Sequence, residues 1–337
     1  MRIKELDIAK SLLILLLYWF HIPRIYLGWL HETNSVVAAI DDINGKLFTC
    51  FFMAAFFIIS GYFLNTQKSF GEATKRDALT LLFPSLTLSL VSNVLYSVYS
   101  GGWHWRFILY TQAGYWSDNL GFWFLSALFI SKLIVQLLIR YVKKTPVILI
   151  IVLILCAVGL ILRSHTKPIY SILHYQEAFM LTPMTLIGYY CKQSHIEPSR
   201  RNCTYLSIGF VLTIIALWLS RSPIQGFNCD AYFSVDYIPM ALWLGLSGTA
   251  LIIYISSWLV RLKILNRLGQ LTLPMFCFNF FFIDFSLRTL KPIIDHGFVW
   301  LYIASVFLLS TTCGFLLSLL FNTKYLKWTL GKFEPKK

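Results

Sequence analysis

Residues 7–21 read DIAKSLLILLLYWFH, an apolar run with Lys10 near its start and His21 at its end. The two are eleven residues apart. At 3.6 residues per turn this is close to a whole number of turns, so both side chains project from one face of one helix, about 16 Å apart along its axis. A cation and an imidazole are costly to hold in hydrocarbon; such residues face the protein interior and mark a functional path. No small-residue cleavage site follows, the next residues being IPRIYLGWL, so the segment reads as a retained first span rather than a signal peptide.

The rest of the chain extends that reading. Its 337 residues are 57% hydrophobic and 13% charged, with mean hydropathy +0.67, against about 25% charged in a soluble domain. Stretches long enough to cross a ~30 Å hydrocarbon core fall near 7–27, 46–65, 78–99, 120–141, 146–163, 169–190, 203–220, 237–259, 269–288 and 297–321, the sixth and ninth interrupted by Pro183 and Pro274. The expectation is an all-α polytopic membrane protein, one domain over 1–337 with ten spans.

The net charge of +14 follows topology, not nucleic acid. Most Lys and Arg gather in alternate loops, including Lys75 and Arg76, Lys143 and Lys144, Arg200 and Arg201, and the C-terminal tail. By the positive-inside rule both termini are then cytoplasmic. The longer outward loops, about 23–45, 100–119 and 221–236, carry Glu32, Asp41, Asp42, the run GGWHWRF, Trp116 and Asp118. This mixture suits sugar stacking and an interfacial aromatic belt equally. The seven cysteines show no CxxC or metal-ligand spacing; Cys50 and Cys229 form a disulfide pair only if both face outward.

The candidate chemistry starts at His21. An imidazole is the usual base for a hydroxyl proton, although a histidine at a helix end is also simply solvated at the interface. Lys10 has the chemistry to bind an anion such as a donor phosphate, or to snorkel as a positive-inside residue. Asp7, at i−3, can pair with it. At membrane depth lie also Lys132, His174, Glu177 and Asp284. His174 and Glu177 share a helix face, where the acid can orient the imidazole; Lys132 and Asp284 are candidates for an interhelical pair. There is no nucleotide-binding glycine loop, no GxSxG and no metal cluster, which argues against a soluble-type hydrolase or ATPase.

At these residues the chain resembles the acyltransferase 3 family, integral-membrane acyltransferases that include sugar and polysaccharide O-acetyltransferases. The family opens with a basic residue, ten intervening residues and a histidine; LDIAKSLLILLLYWFH keeps Asp7, Lys10 and His21 in register. FFMAAFFIISGYFL is similar to the family's FFMPxFFFLSGYFF, with Ser60, Gly61 and Tyr62 matching. FWFLSALF follows WFLxALF through Trp123, Phe124 and Leu125; LIGYYCKQ follows LGYYxxK, and LGQLTLPMFCFN follows LGxxSLxIYLLH. Three departures stand out. KRDALTLLFP places Asp77 and Thr80 where the family carries RxxR, with Lys75 and Arg76 displaced; Asn279 replaces a histidine; Ser11 replaces a glycine.

The resemblance implies transfer of an acyl group, most simply acetyl, from acetyl-CoA as co-substrate, with no bound cofactor, to a hydroxyl of a surface polysaccharide or lipid-linked glycan at a bacterial inner membrane. His21 would be the base and Lys10 would hold the donor, with Lys75 and Arg76 as further donor-binding residues. Ser60, Tyr62 and Trp123 are candidate oxyanion donors, and His174 and Glu177 candidate supports. The rival is a transporter or flippase-like carrier, which broken spans and buried charges also fit. The LDIAK and SGY signals do not recur within the chain, so the internal repeat common in carriers is not seen.

Overall fold

The computed structural model describes residues 3–28, 30–102, 122–142, 144–165, 172–224 and 235–333. Residues 103–107 of the run GGWHWRF, Trp116, Asp118 and Cys229 lie outside them. Among the described residues the regular elements are all helical. In order they are α1 (Lys4–Gly28), α2 (Ser35–Leu47), α3 (Phe52–Tyr62), α4 (Phe70–Asp77), a π-helical turn (Ala78–Leu82), α5 (Phe83–Ser100) and α6 (Trp123–Tyr141). There follow α7 (Thr145–His165), α8 (Tyr175–Gln193), α9 (Arg200–Leu219), α10 (Ile238–Trp258), α11 (Lys263–Gly269), α12 (Thr272–Thr289), α13 (Lys291–Asp295) and α14 (Val299–Phe321).

Two helices form the centre. α1 touches α2, α3, α10, α11, α12 and α14, and α8 touches α3, α6, α7 and α10. Within lipid, apolar burial gives helices little reason to associate, so close packing of small residues carries the contact. The α3–α8 contact shows this. A Cβ on Gly61 would lie 2.0 Å from the Thr185 carbonyl oxygen, and one on Gly188 2.0 Å from that of Ile58. The ISGY and LIGYY motifs thus meet backbone to backbone. Ser131 on α6 joins the contact through a 2.7 Å hydrogen bond between its hydroxyl and that of Thr185.

The second close contact seats α1. A Cβ on Gly269 would lie 1.8 Å from the Asp7 carbonyl oxygen. Beside it, the Ser11 hydroxyl donates to the Asp7 carbonyl at 3.1 Å and to that of Leu265 on α11. The chain then bends by 84° between α11 and α12. Pro274 therefore does not interrupt the ninth span; it sits in the first turn of α12, where a missing N–H costs nothing, and the break precedes it at Gln270–Leu271. Pro183 likewise lies inside an unbroken α8.

Among the described residues eight helical stretches are long and apolar enough to cross a membrane, and the bent α11–α12 pair makes a ninth. The expected second span begins earlier, as one 28-residue stretch, Ser35–Tyr62, broken between α2 and α3; the third runs from Phe70 to Tyr99 through the π turn. α8, at the expected sixth span, is too polar to count among them. It buries Gln176, Glu177, Thr182 and Thr185, and with α3, α6, α7 and α10 packed around it it has little need of a lipid-facing surface.

Gly61→Ala is expected to destabilise the protein by about 2 kcal/mol or more, because its methyl meets backbone that cannot rotate away. Gly71→Ala, with nothing within 4 Å of the added carbon, is expected to be neutral. Thermal unfolding of the two variants in detergent checks the contrast.

Candidate active site

The N-terminal half of α1 borders an open cavity of about 280 Å³. Its wall is largely apolar (Ile14, Phe56, Phe124, Leu128 and Phe276 among others), and five polar residues line it: Lys10, Ser60, Thr80, Lys132 and Thr272. Lys10 pairs with the buried Asp7 at 2.7 Å and stays about a quarter exposed. Thr80 is presented by the π turn, a deviation often found at functional sites.

Lys132 is the residue that sequence reasoning misplaced. It does not pair with Asp284, which instead accepts from Arg288 Nε one turn on, at 3.0 and 3.1 Å. Lys132 Nζ lies 2.8 Å from Asp77 Oδ1, Gln136 Nε2 donates to Asp77 Oδ2 at 2.9 Å, and Arg76 approaches Asp77 at 3.3 Å. An ammonium and a carboxylate taken out of water are stable together only when each supplies the other's charge and hydrogen bond. Asp77, at a position where the resemblance leads one to expect an arginine, is thus the counter-ion of a lysine on α6. The signal was available, since SALFISKLI carries a lysine in mid-span.

Three turns beyond Lys10, His21 lies outside the cavity lining. Its Nδ1 is 2.9 Å from Asn279 Oδ1 on α12, and its ring rests against Phe280 with centroids 4.4 Å apart. Asn279 is fully buried, and its Nδ2 donates to the Phe276 carbonyl. α12 thus presents Phe276 to the cavity and Asn279 to His21. Phe276 also packs on Phe124, at 4.8 Å between centroids, and on Phe56, so an aromatic cluster lines the cavity on the α12 side. At the far end of α1, Glu32 accepts from Lys291, and this contact raises the lysine pKa.

The other candidates lie elsewhere. Lys75 is exposed on α4. Tyr62 faces a smaller apolar pocket that shares Ile59 with the cavity. His174 and Glu177 are both buried, but the imidazole Nδ1 stands 3.5 Å from Glu177 Oε2, while the closer partner of Glu177 is Arg163 from α7. Trp123 lies beside this group, 6.2 Å from the His174 ring. Leu173 and His174 have φ of 52° and 55°, left-handed values that non-glycine residues hold only at a cost. The structure thus joins Lys10, Asp7 and Ser60 around the cavity with Lys132 and Thr80, and places Trp123, His174 and Glu177 in a separate cluster.

Lys132→Met leaves the Asp77 carboxylate buried without its main counter-ion. A loss of about 3 kcal/mol is expected, near the lower end for a broken buried pair because Arg76 remains. The double variant Asp77→Asn with Lys132→Met is expected to recover most of it, as measured by thermal unfolding.

A family model described as an acyltransferase domain, acyltransferase 3, matches residues 3–319. No curated protein and no solved structure matches the chain. The match spans nearly the whole chain, including α1 with Lys10 and His21, the cavity and α12. Of the enzyme and the carrier, it supports the enzyme: the chain belongs to the acyltransferase 3 family and is an integral-membrane acyltransferase.

Proposed function

We propose that the protein transfers an acetyl group from acetyl-CoA to a hydroxyl of a surface polysaccharide or lipid-linked glycan at a bacterial inner membrane. The observation that carries this reading is one cavity lined by Lys10, Lys132, Ser60 and Thr80, bordered by the helix that holds His21 three turns beyond Lys10. With both termini cytoplasmic, as the charge asymmetry of the loops indicates, the cavity belongs to the inner half of the membrane and His21 to the outer half. A long, narrow thioester suits that arrangement. Its phosphates stay near the ammonium groups and near Lys75 and Arg76, while its acyl end passes Phe276 toward His21.

In this reaction His21 takes the proton of the acceptor hydroxyl as the oxygen attacks the thioester carbonyl. A thioester is already activated, so the protein supplies mainly a base, alignment and donors for the developing oxyanion. Ser60 is the best placed of the candidate donors, since it enters the cavity, whereas Tyr62 faces another pocket and Trp123 the His174 cluster. The acceptor approaches from the outer side.

His21→Ala is expected to lower turnover by about 10²–10⁴-fold, the usual contribution of a general base. Lys10→Ala is expected to raise KM for the acyl donor about tenfold, the effect of one charge-assisted hydrogen bond. Mass spectrometry of surface glycans from a deletion strain tests the reaction itself. An acetyl mark that disappears on deletion, and returns with the wild type but not with His21→Ala, supports the proposal; unchanged glycans in all strains refute it.

A further inference from the structure

His21 and Asn279 are 258 residues apart in sequence, yet the imidazole Nδ1 sits 2.9 Å from the amide oxygen. A neutral imidazole carries its proton on one nitrogen only, and the hydrogen bond made by that nitrogen decides which. The asparagine is not free to choose its orientation. Its NH2 group donates to the Phe276 carbonyl, which can only accept, so the amide oxygen is the atom turned toward His21. An amide oxygen also only accepts, so Nδ1 must donate. The proton of neutral His21 is therefore on Nδ1, and the lone pair is on Nε2, to which no described residue makes a hydrogen bond. Complete burial of Asn279 keeps water from competing for the amide.

We propose that Asn279 is the positioning residue of the reaction: it selects the Nδ1–H tautomer of His21 and leaves Nε2 as the basic atom. This rests on the reading of His21 as the base. As the acceptor oxygen–acyl carbon bond forms and the carbon–sulfur bond of the thioester breaks, the hydroxyl proton moves to Nε2. The imidazolium keeps its Nδ1–H bond to Asn279, whose carbonyl dipole points at the new positive charge, and Nε2 then returns the proton to the departing thiolate. Orientation of a catalytic histidine by an asparagine amide is an established device in cysteine proteases. On this account the residue that replaces the histidine of the resemblance is a working part of the site.

The test is solid-state NMR of ¹⁵N-histidine-labelled protein in lipid bilayers at pH 8, with the His21 signal assigned by its loss in His21→Gln. The wild type is expected to show a protonated Nδ1 and an unprotonated Nε2, and Asn279→Leu a shift of the proton toward Nε2. Asn279→Leu is also expected to lower kcat about 10²-fold with KM for the donor unchanged. A wild-type His21 with its proton on Nε2, or on both nitrogens, overturns the proposal, whether or not the Asn279 variant folds. So does a tautomer that Asn279→Leu leaves unchanged. The expected tautomer in a protein whose His21→Gln variant keeps full activity would leave the positioning intact and refute the base.

Discussion

The seat of α1 is the contact on which the site depends. Gly269 lies so close to the Asp7 carbonyl that any side chain would collide, and Ser11 fastens the same turn to α11. The 84° bend that follows directs α12 back along α1. One helix then supplies Lys10 and His21, and its neighbour supplies the Phe276 wall of the cavity and the Asn279 partner of the histidine. In hydrocarbon no water relaxes a misplaced polar group, so the spacing of these groups is set by rigid helix contact rather than by side-chain adjustment.

The three departures from the family pattern each have a physical role. Asp77 stands at an arginine position and holds Lys132, whose side chain lines the cavity. Ser11 stands at a glycine position and donates across the α1–α11 contact. Asn279 stands at a histidine position and faces His21. An ion pair within a bundle stabilises little in net terms, but breaking it by removing one member is costly. Asp77 and Lys132 are therefore coupled, and a change at either has to be read as a change to both.

The helix α8 shows the other side of the membrane constraint. Its buried glutamine, glutamate and threonines would be expensive against lipid, yet they are tolerated because other helices surround it. Glu177 is matched by Arg163 on α7. Polar composition at this position reports the number of protein neighbours, not a loop.

Much of this was legible in the chain. The apolar runs and their loops announced an all-helical membrane protein, because the cost of charge in hydrocarbon is local and shows directly in composition. The eleven-residue interval from Lys10 to His21 and the i−3 place of Asp7 are properties of a single helix, and Asp7 does pair with Lys10. Partners between helices were not legible. Lys132 chose Asp77, 55 residues away, over Asp284; His174 gave up the closer place at Glu177 to Arg163; Pro274 began a helix instead of breaking one. The amino-acid sequence by itself determined that this is an all-helical membrane protein and which polar residues its apolar segments carry. Only the tertiary structure decided which of those residues meet, because that depends on where glycines let backbones touch and on which charge the packing brings within reach.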